Sequence, residues 1–228
     1  MQPSQTDRVA GRHVPAAVAQ RDPMPDELLQ DRSEGGGGLG WLLLAAGVLG
    51  ALAAFVLTIE KLALLNNADY VPSCSLNPVL NCGSIMRTDQ AEVFGFPNPL
   101  IGLAAFPVVA ATGAALLAGA RLRRWYWLGL QAGLTTGLVF VGWLVFQSLY
   151  RIGALCPYCM VVWAVVIPAF WYVTLANLTT GRLGERVASR RPLESLARNH
   201  AVVLTATYLL VLALIAHRFW EYWTSLVG

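Results

Sequence analysis

Five stretches of the chain stay apolar for roughly the thickness of a membrane: Leu39–Ile59, Leu100–Ala120, Trp125–Tyr150, Met160–Leu178 and Ala201–Trp220. At about 1.5 Å of rise per residue, each can cross a hydrocarbon layer of about 30 Å as a helix. Lipid offers no partner to a free N–H or C=O, so a spanning segment must satisfy its own backbone, and each stretch is read as helical. Polar residues collect between them, at 60–99, 121–124, 151–159 and 179–200. The pattern predicts an all-α integral membrane domain over residues 39–228. Residues 1–38 follow another rule: four Arg, six acidic residues, four Pro and the run Gly35–Gly38, with no periodic apolar face. They read as a disordered tail ending in a flexible linker. They do not read as a secretory signal, which places a short apolar core directly behind a basic start.

Composition narrows the class. Of 228 residues, 56% are apolar and 13% charged, and the mean hydropathy is +0.55. A soluble domain carries about 25% charged residues, so a lone water-soluble domain is excluded, as is disorder over most of the length. The net charge of +3 comes without a basic, aromatic-studded stripe, which argues against nucleic acid.

Charge also orients the spans. Arg121, Arg123, Arg124, Arg182, Arg186, Arg190, Arg191 and Arg198 fall on one side, against Lys61, Arg87, Arg151 and Arg218 on the other. Short cytoplasmic loops attract Lys and Arg. The tail is therefore expected in the cytoplasm, with loops 60–99 and 151–159 and the C-terminus outside. Trp125 and Trp127 at one interface, and Trp220, Tyr222 and Trp223 at the other, suit aromatic belts. Gly129, Gly133 and Gly137 share one face of the third span and are expected to let a neighbouring helix approach. His13, His200 and His217 show no metal spacing.

All four cysteines fall on the outward side in this topology, in two close pairs, which fits an oxidising compartment. Cys156-Pro157-Tyr158-Cys159 opens the fourth span. Pro157 suits a first helical position, which puts Cys156 near the N-cap and Cys159 in the first turn. Free N–H groups and the helix dipole stabilise a thiolate there, and a low thiol pKa makes a better leaving group. That favours electron transfer over a permanent staple. Cys74 and Cys82 bound a nine-residue stretch of the first outward loop. Closing it is worth about 2.5 kcal/mol on the chain-entropy account. The pair reads either as a structural clip or as a relay that takes electrons from a partner and hands them inward. A two-electron thiol oxidation at a membrane matches a lipid-dissolved quinone as acceptor.

This pattern, C-x7-C after the first span and C-x-x-C at the start of the fourth, resembles the vitamin K epoxide reductase (VKOR) family. So does the run Phe94-Gly95-Phe96-Pro97-Asn98-Pro99-Leu100-Ile101-Gly102, and the likeness is nearest to the five-span, actinobacterial-type bacterial branch without a fused thioredoxin domain. It covers about residues 39–220. The resemblance implies a four-helix bundle around a quinone (menaquinone or ubiquinone) with a peripheral fifth helix. It implies that Cys74 exchanges with an extracytoplasmic thioredoxin-fold (DsbA-like) protein. Cys82 then forms a transient disulfide with Cys156, and Cys159 donates to the quinone. The setting implied is a bacterial cytoplasmic membrane, and the work is disulfide bond formation. Asn98 matches the family's quinone-binding Asn, although between two prolines it also reads as a turn former. Thr88 matches a family Ser or Thr. Trp163 stands where the family has a quinone-side Tyr, keeping the ring and losing the hydroxyl.

Three rival readings stand beside this one. A DsbB-type oxidase runs the same net reaction but carries its C-x-x-C in the first outward loop. A four-thiolate Zn²⁺ site of Cys74, Cys82, Cys156 and Cys159 suits tetrahedral coordination. Its oxidising location and nine-residue spacing argue against it, and no metal site is expected. A non-catalytic scaffold or transporter with clipped loops would need midplane charges to mark a path, and the spans hold little beyond Gln131 and Gln147.

Overall fold

The computed structural model of the chain describes residues 25–183 and 198–227. Residues 1–24 of the expected tail, with His13, lie outside the described residues, as do Arg186, Arg190 and Arg191. The described chain is helical: α1 Pro25–Asn66, α2 Cys82–Met86, a 3-10 turn Asp89–Glu92, α3 Pro99–Leu117, α4 Arg124–Phe146, α5 Pro157–Thr179, α6 His200–Arg218 and α7 Trp220–Val227. A π-helical turn, Gln147–Ile152, continues α4. Among the described residues, five helices are long and apolar enough to cross a membrane: Gly37–Asn66, Pro99–Leu117, Arg124–Ile152, Pro157–Thr179 and His200–Arg218. Each contains one of the expected spans to within a few residues at either end.

α1 is helical through Gly35–Gly38. Propagating a helix costs far less than nucleating one, so an apolar span carries its helix into neighbouring residues, poor helix formers included. By contacts, one compact unit ends at Gly35 and a second runs from Gly36 to Gly228; the second holds every element discussed below. At its other end α1 continues past the apolar run to Asn66, which places Glu60 and Lys61 on the helix.

Leu43 and Ala46 of α1, Val109 of α3, Trp127 and Leu134 of α4, and Val165, Ala169 and Val173 of α5 form one core. These four helices make the bundle. Backbones of α1 and α3 touch through glycine: a Cβ added at Gly47 would lie 2.3 Å from Ala110 N, and one at Gly113 would lie 2.3 Å from Leu44 N. Small residues at such a seam let dispersion contacts replace the hydrophobic drive that lipid removes. Only 6% of the α6 span is buried, against 44% for α1, so the fifth helix is peripheral. It still braces the outer end of the bundle. Ile215 and Phe219 pack with Val79, Leu155 and Trp163, and Arg218 Nε donates to the Leu149 carbonyl at 2.7 Å. A π turn misaligns carbonyls from their usual donors, and Arg218 caps one of them. Gly153, at φ +72°, closes the turn in the left-handed region that favours glycine.

Candidate redox site

The loop between α1 and α3 is held at both ends by adjacent residues of α1. Glu60, buried, accepts from Tyr70 Oη at 2.9 Å and from Ser73 Oγ at 2.6 Å, which fixes the chain just before Cys74. Its carboxylate raises the Tyr70 hydroxyl above its ordinary pKa, by the hydrogen bond first and by burial and charge after it. Lys61 Nζ donates to the Met86 carbonyl at 2.6 Å and pairs with Glu92 at 2.8 Å, which fixes the chain just after α2. The hydropathy pattern marks both residues only as a boundary.

Within this loop Cys74 and Cys82 form a disulfide. Asn81 caps α2, its side chain accepting from Ser84 N at 3.0 Å, so Cys82 opens the helix. The next tie is backbone to backbone. Leu80 and Leu155 form an isolated parallel bridge: Leu155 N donates to Val79 O at 2.7 Å, and Asn81 N donates to Leu155 O at 2.9 Å. Each residue after the bridge bears a cysteine within two positions, so the pairing sets Cys82 against Cys156. Their sulfurs lie 3.1 Å apart. Leu57, Met86, Cys74, Cys82 and Cys156 pack as one buried cluster.

Cys156 is the N-cap of α5 with Pro157 at the first helical position. Its sulfur accepts from the Cys159 N–H at 3.4 Å. A hydrogen bond from the Cys159 side chain is the main cause holding the Cys156 thiol below its ordinary pKa; burial opposes this, and the N–H groups of Cys159 and Tyr158 reinforce it. The cap expected from the position of Pro157 is therefore the one seen. Both Cys156 and Cys159 are free.

Below the sulfurs lies a cavity of about 530 Å³, lined by Lys61, Cys82, Met86, Asn98, Cys156, Cys159 and Trp163 at one end. From there it follows α4 past Gly137, Gly133 and Gly129 to Tyr126 and Trp125. The three glycines were expected to pack against a helix. Instead, a Cβ at any of them would meet nothing within 4 Å; they widen the cavity, and the close helix approach belongs to Gly47 and Gly113. Asn98 proves to be a turn builder that also faces the cavity. Its Oδ1 accepts from Val93 N at 3.2 Å and its Nδ2 donates to Gln90 O at 2.7 Å, leaving one amide hydrogen unspent. Trp163 is buried on the cavity wall, and its indole N–H has no partner. Thr88 is not among the lining residues; its hydroxyl donates to Ile85 O at 2.7 Å and tightens the end of α2.

Residues 41–174 match the vitamin K epoxide reductase family. The chain belongs to that family. No curated protein matches the sequence. The matched segment runs from α1 to near the end of α5 and contains all four cysteines and the cavity; α6 lies beyond it. Membership makes the chain a multi-pass membrane thiol–disulfide oxidoreductase, and the sulfurs are arranged for that chemistry. The sulfurs of Cys74, Cys82 and Cys156 lie within 4.8 Å of one another, a spacing that a metal site shares. With Cys74 and Cys82 joined to each other, Cys156 alone of the three keeps a thiol to ligate with.

Proposed function

We propose that the protein oxidises an extracytoplasmic thioredoxin-fold partner and passes the electrons to a membrane quinone, supporting disulfide bond formation. The observation that carries this reading is the 3.1 Å approach of Cys82 Sγ to Cys156 Sγ across the Leu80–Leu155 bridge. A partner thiolate attacks Cys74, and Cys82 leaves as the thiolate. The partner's second thiol then attacks the mixed disulfide, so the partner departs oxidised and the loop pair stays reduced. Cys82 attacks Cys156 of an oxidised inner pair, releasing Cys159; Cys74 then attacks Cys82, restores its own disulfide and leaves Cys156 and Cys159 reduced. The low pKa of Cys156 makes it the better leaving group in that last exchange. A closed outer pair beside two free inner cysteines is the distribution at this point in the cycle.

The residues present fit a quinone. The cavity wall is mostly apolar, and the polar groups on it include the spare Asn98 amide hydrogen, the Lys61 ammonium and the orphan Trp163 indole N–H. The quinone supplies a two-electron sink; Cys159 on the wall delivers the electrons as the Cys156–Cys159 disulfide forms, and Asn98 orients the ring. Thr88 acts at one remove, through the end of α2. The arginine asymmetry supports the tail inside and the sulfurs outside, and the resemblance to the bacterial branch implies a bacterial cytoplasmic membrane.

Reconstituted protein given a reduced thioredoxin-fold dithiol and a quinone tests this. Cys156→Ala and Cys159→Ala should each abolish quinone reduction. Cys74→Ala should block the protein dithiol while sparing a small dithiol that reaches the inner pair. Undiminished oxidation of the protein dithiol by Cys74→Ala sinks the relay, and an impermeant maleimide finding the two pairs on opposite faces sinks the orientation.

A further inference from the structure

Among the described residues lining the cavity, Lys61 is the one charged side chain. It is 8% exposed, and an ammonium so placed costs free energy unless it is paired. Its pairing is peculiar in being one-sided. One N–H goes to the Met86 carbonyl and one to Glu92, which leaves the third free on a residue of the cavity wall. Glu92 sits on the 3-10 turn with its side chain 36% exposed. The pair therefore links water at the protein surface to the end of the cavity where the sulfurs lie.

We propose that Lys61 is a catalytic proton donor to the quinone, and that Glu92 is the positioning residue that returns a proton to it from water. This rests on the quinone reading above. The stoichiometry asks for such a group. When Cys156 and Cys159 form their disulfide, a thiol and a thiolate lose two electrons and only one proton. A quinone that takes two electrons needs two protons to leave as a neutral quinol. The Cys159 thiol supplies one, Lys61 supplies the second, and the amine left behind is reprotonated through Glu92. The charge balances: thiolate and ammonium are consumed together. The titratable groups around Lys61 are Glu92 on the 3-10 turn and Cys156 and Cys159 at the start of α5; Cys82 on α2 is held in the disulfide. Glu60, its neighbour on α1, is engaged by Tyr70 and Ser73, and Tyr126 lines the far end.

The bland alternative is a tether, since the same two bonds hold the loop. Arginine separates the two roles. It keeps charge and hydrogen bonds but does not give up a proton in a protein. Two readouts are needed: turnover of reduced partner with a short-tailed naphthoquinone across pH, and transfer from the Cys74–Cys82 pair to the Cys156–Cys159 pair in quinone-stripped protein, trapped by alkylation. Lys61→Arg and Lys61→Met should both lose about a hundred-fold in turnover at neutral pH, the scale of general acid catalysis. The deficit should shrink as pH falls and water supplies the proton. Thiol transfer in Lys61→Arg should stay at the wild-type rate. Glu92→Gln should show a smaller loss with the same pH trend. Wild-type turnover in Lys61→Arg overturns the proposal in favour of the tether, as does an equal loss in the quinone-free transfer. If the unsubstituted protein passes electrons between its cysteine pairs but never to quinone, the parent reading fails and takes this one with it.

Discussion

The bundle has a closed side and an open side, and both are written in glycine. On the closed side Gly47 and Gly113 bring α1 and α3 to backbone contact. On the open side a Cβ added at Gly129, Gly133 or Gly137 of α4 would meet nothing within 4 Å, and these glycines line the cavity. The same residue does opposite work because of what faces it. Without a side chain, a helix face either admits a neighbour or leaves room, and four-residue spacing fixes the face without saying which. The sulfurs sit where the two sides meet, tied to the end of α1 on one hand and to the start of α5 on the other.

Adding side chains breaks the comparison most sharply. Gly113→Val should misassemble the bundle, because its Cβ would fall on the backbone of Leu44 and backbone cannot step aside; a loss of more than about 3 kcal/mol is expected, at the upper end for overpacking. Thermal unfolding in detergent measures it, and a native melting point would show that the seam can open. On the other side, Gly133→Leu should unfold at nearly the native temperature. It should raise the KM for a long-tailed quinone several-fold by filling the cavity, while partner-to-Cys156 electron transfer stays intact.

How much of this was legible beforehand depends on the kind of force involved. The spans follow from length and hydropathy, since lipid leaves the backbone no alternative to the helix. The cap of α5 follows from Cys156-Pro157, because local sterics decide it. What periodicity does not carry is the partner of a face, hence the misassigned α4 glycines. Nor does it carry the use of a boundary charge. Glu60 and Lys61 look like the end of a span and act as clamps, because their partners lie 10 to 31 residues away along a folded loop. Asn98 has two uses open to it from the sequence, and its local bonds satisfy the turn while its spare hydrogen leaves the other use open. Thr88 matched by position in the chain, yet a short helix turns its hydroxyl to a carbonyl and away from the cavity lining.

The clamp on the closed side gives a smaller effect. Glu60→Gln removes a buried carboxylate that accepts from Tyr70 and Ser73. Charge-assisted hydrogen bonds of this kind are worth about 1.5–3 kcal/mol each at most, so a local loss of about 2 kcal/mol is expected. Hydrogen exchange should quicken at residues 70–75 and stay slow in α3, and a small dithiol should reduce Cys74–Cys82 faster. Unchanged exchange at Ser73 would mean that the disulfide alone holds the loop.

The smallest effect concerns the open side, at the thiol of Cys156. Its pKa is lowered chiefly by the Cys159 side chain, with burial opposing. In protein with the outer pair closed and the inner pair reduced, the folded-state pKa lies below the unfolded value of about 8.5. The thiolate's contribution to stability is therefore fully present above that unfolded value and is lost as pH falls through the lowered one. Cys159→Ala removes the leading cause and should move the titration of Cys156 upward, read by thiolate ultraviolet absorbance. Cys159→Ser keeps a donor and should move it less. If Ala and Ser behave alike and neither moves the titration, the N-terminal N–H groups of α5 hold the thiolate unaided. In that case the helix start, and not the second cysteine, sets the leaving group.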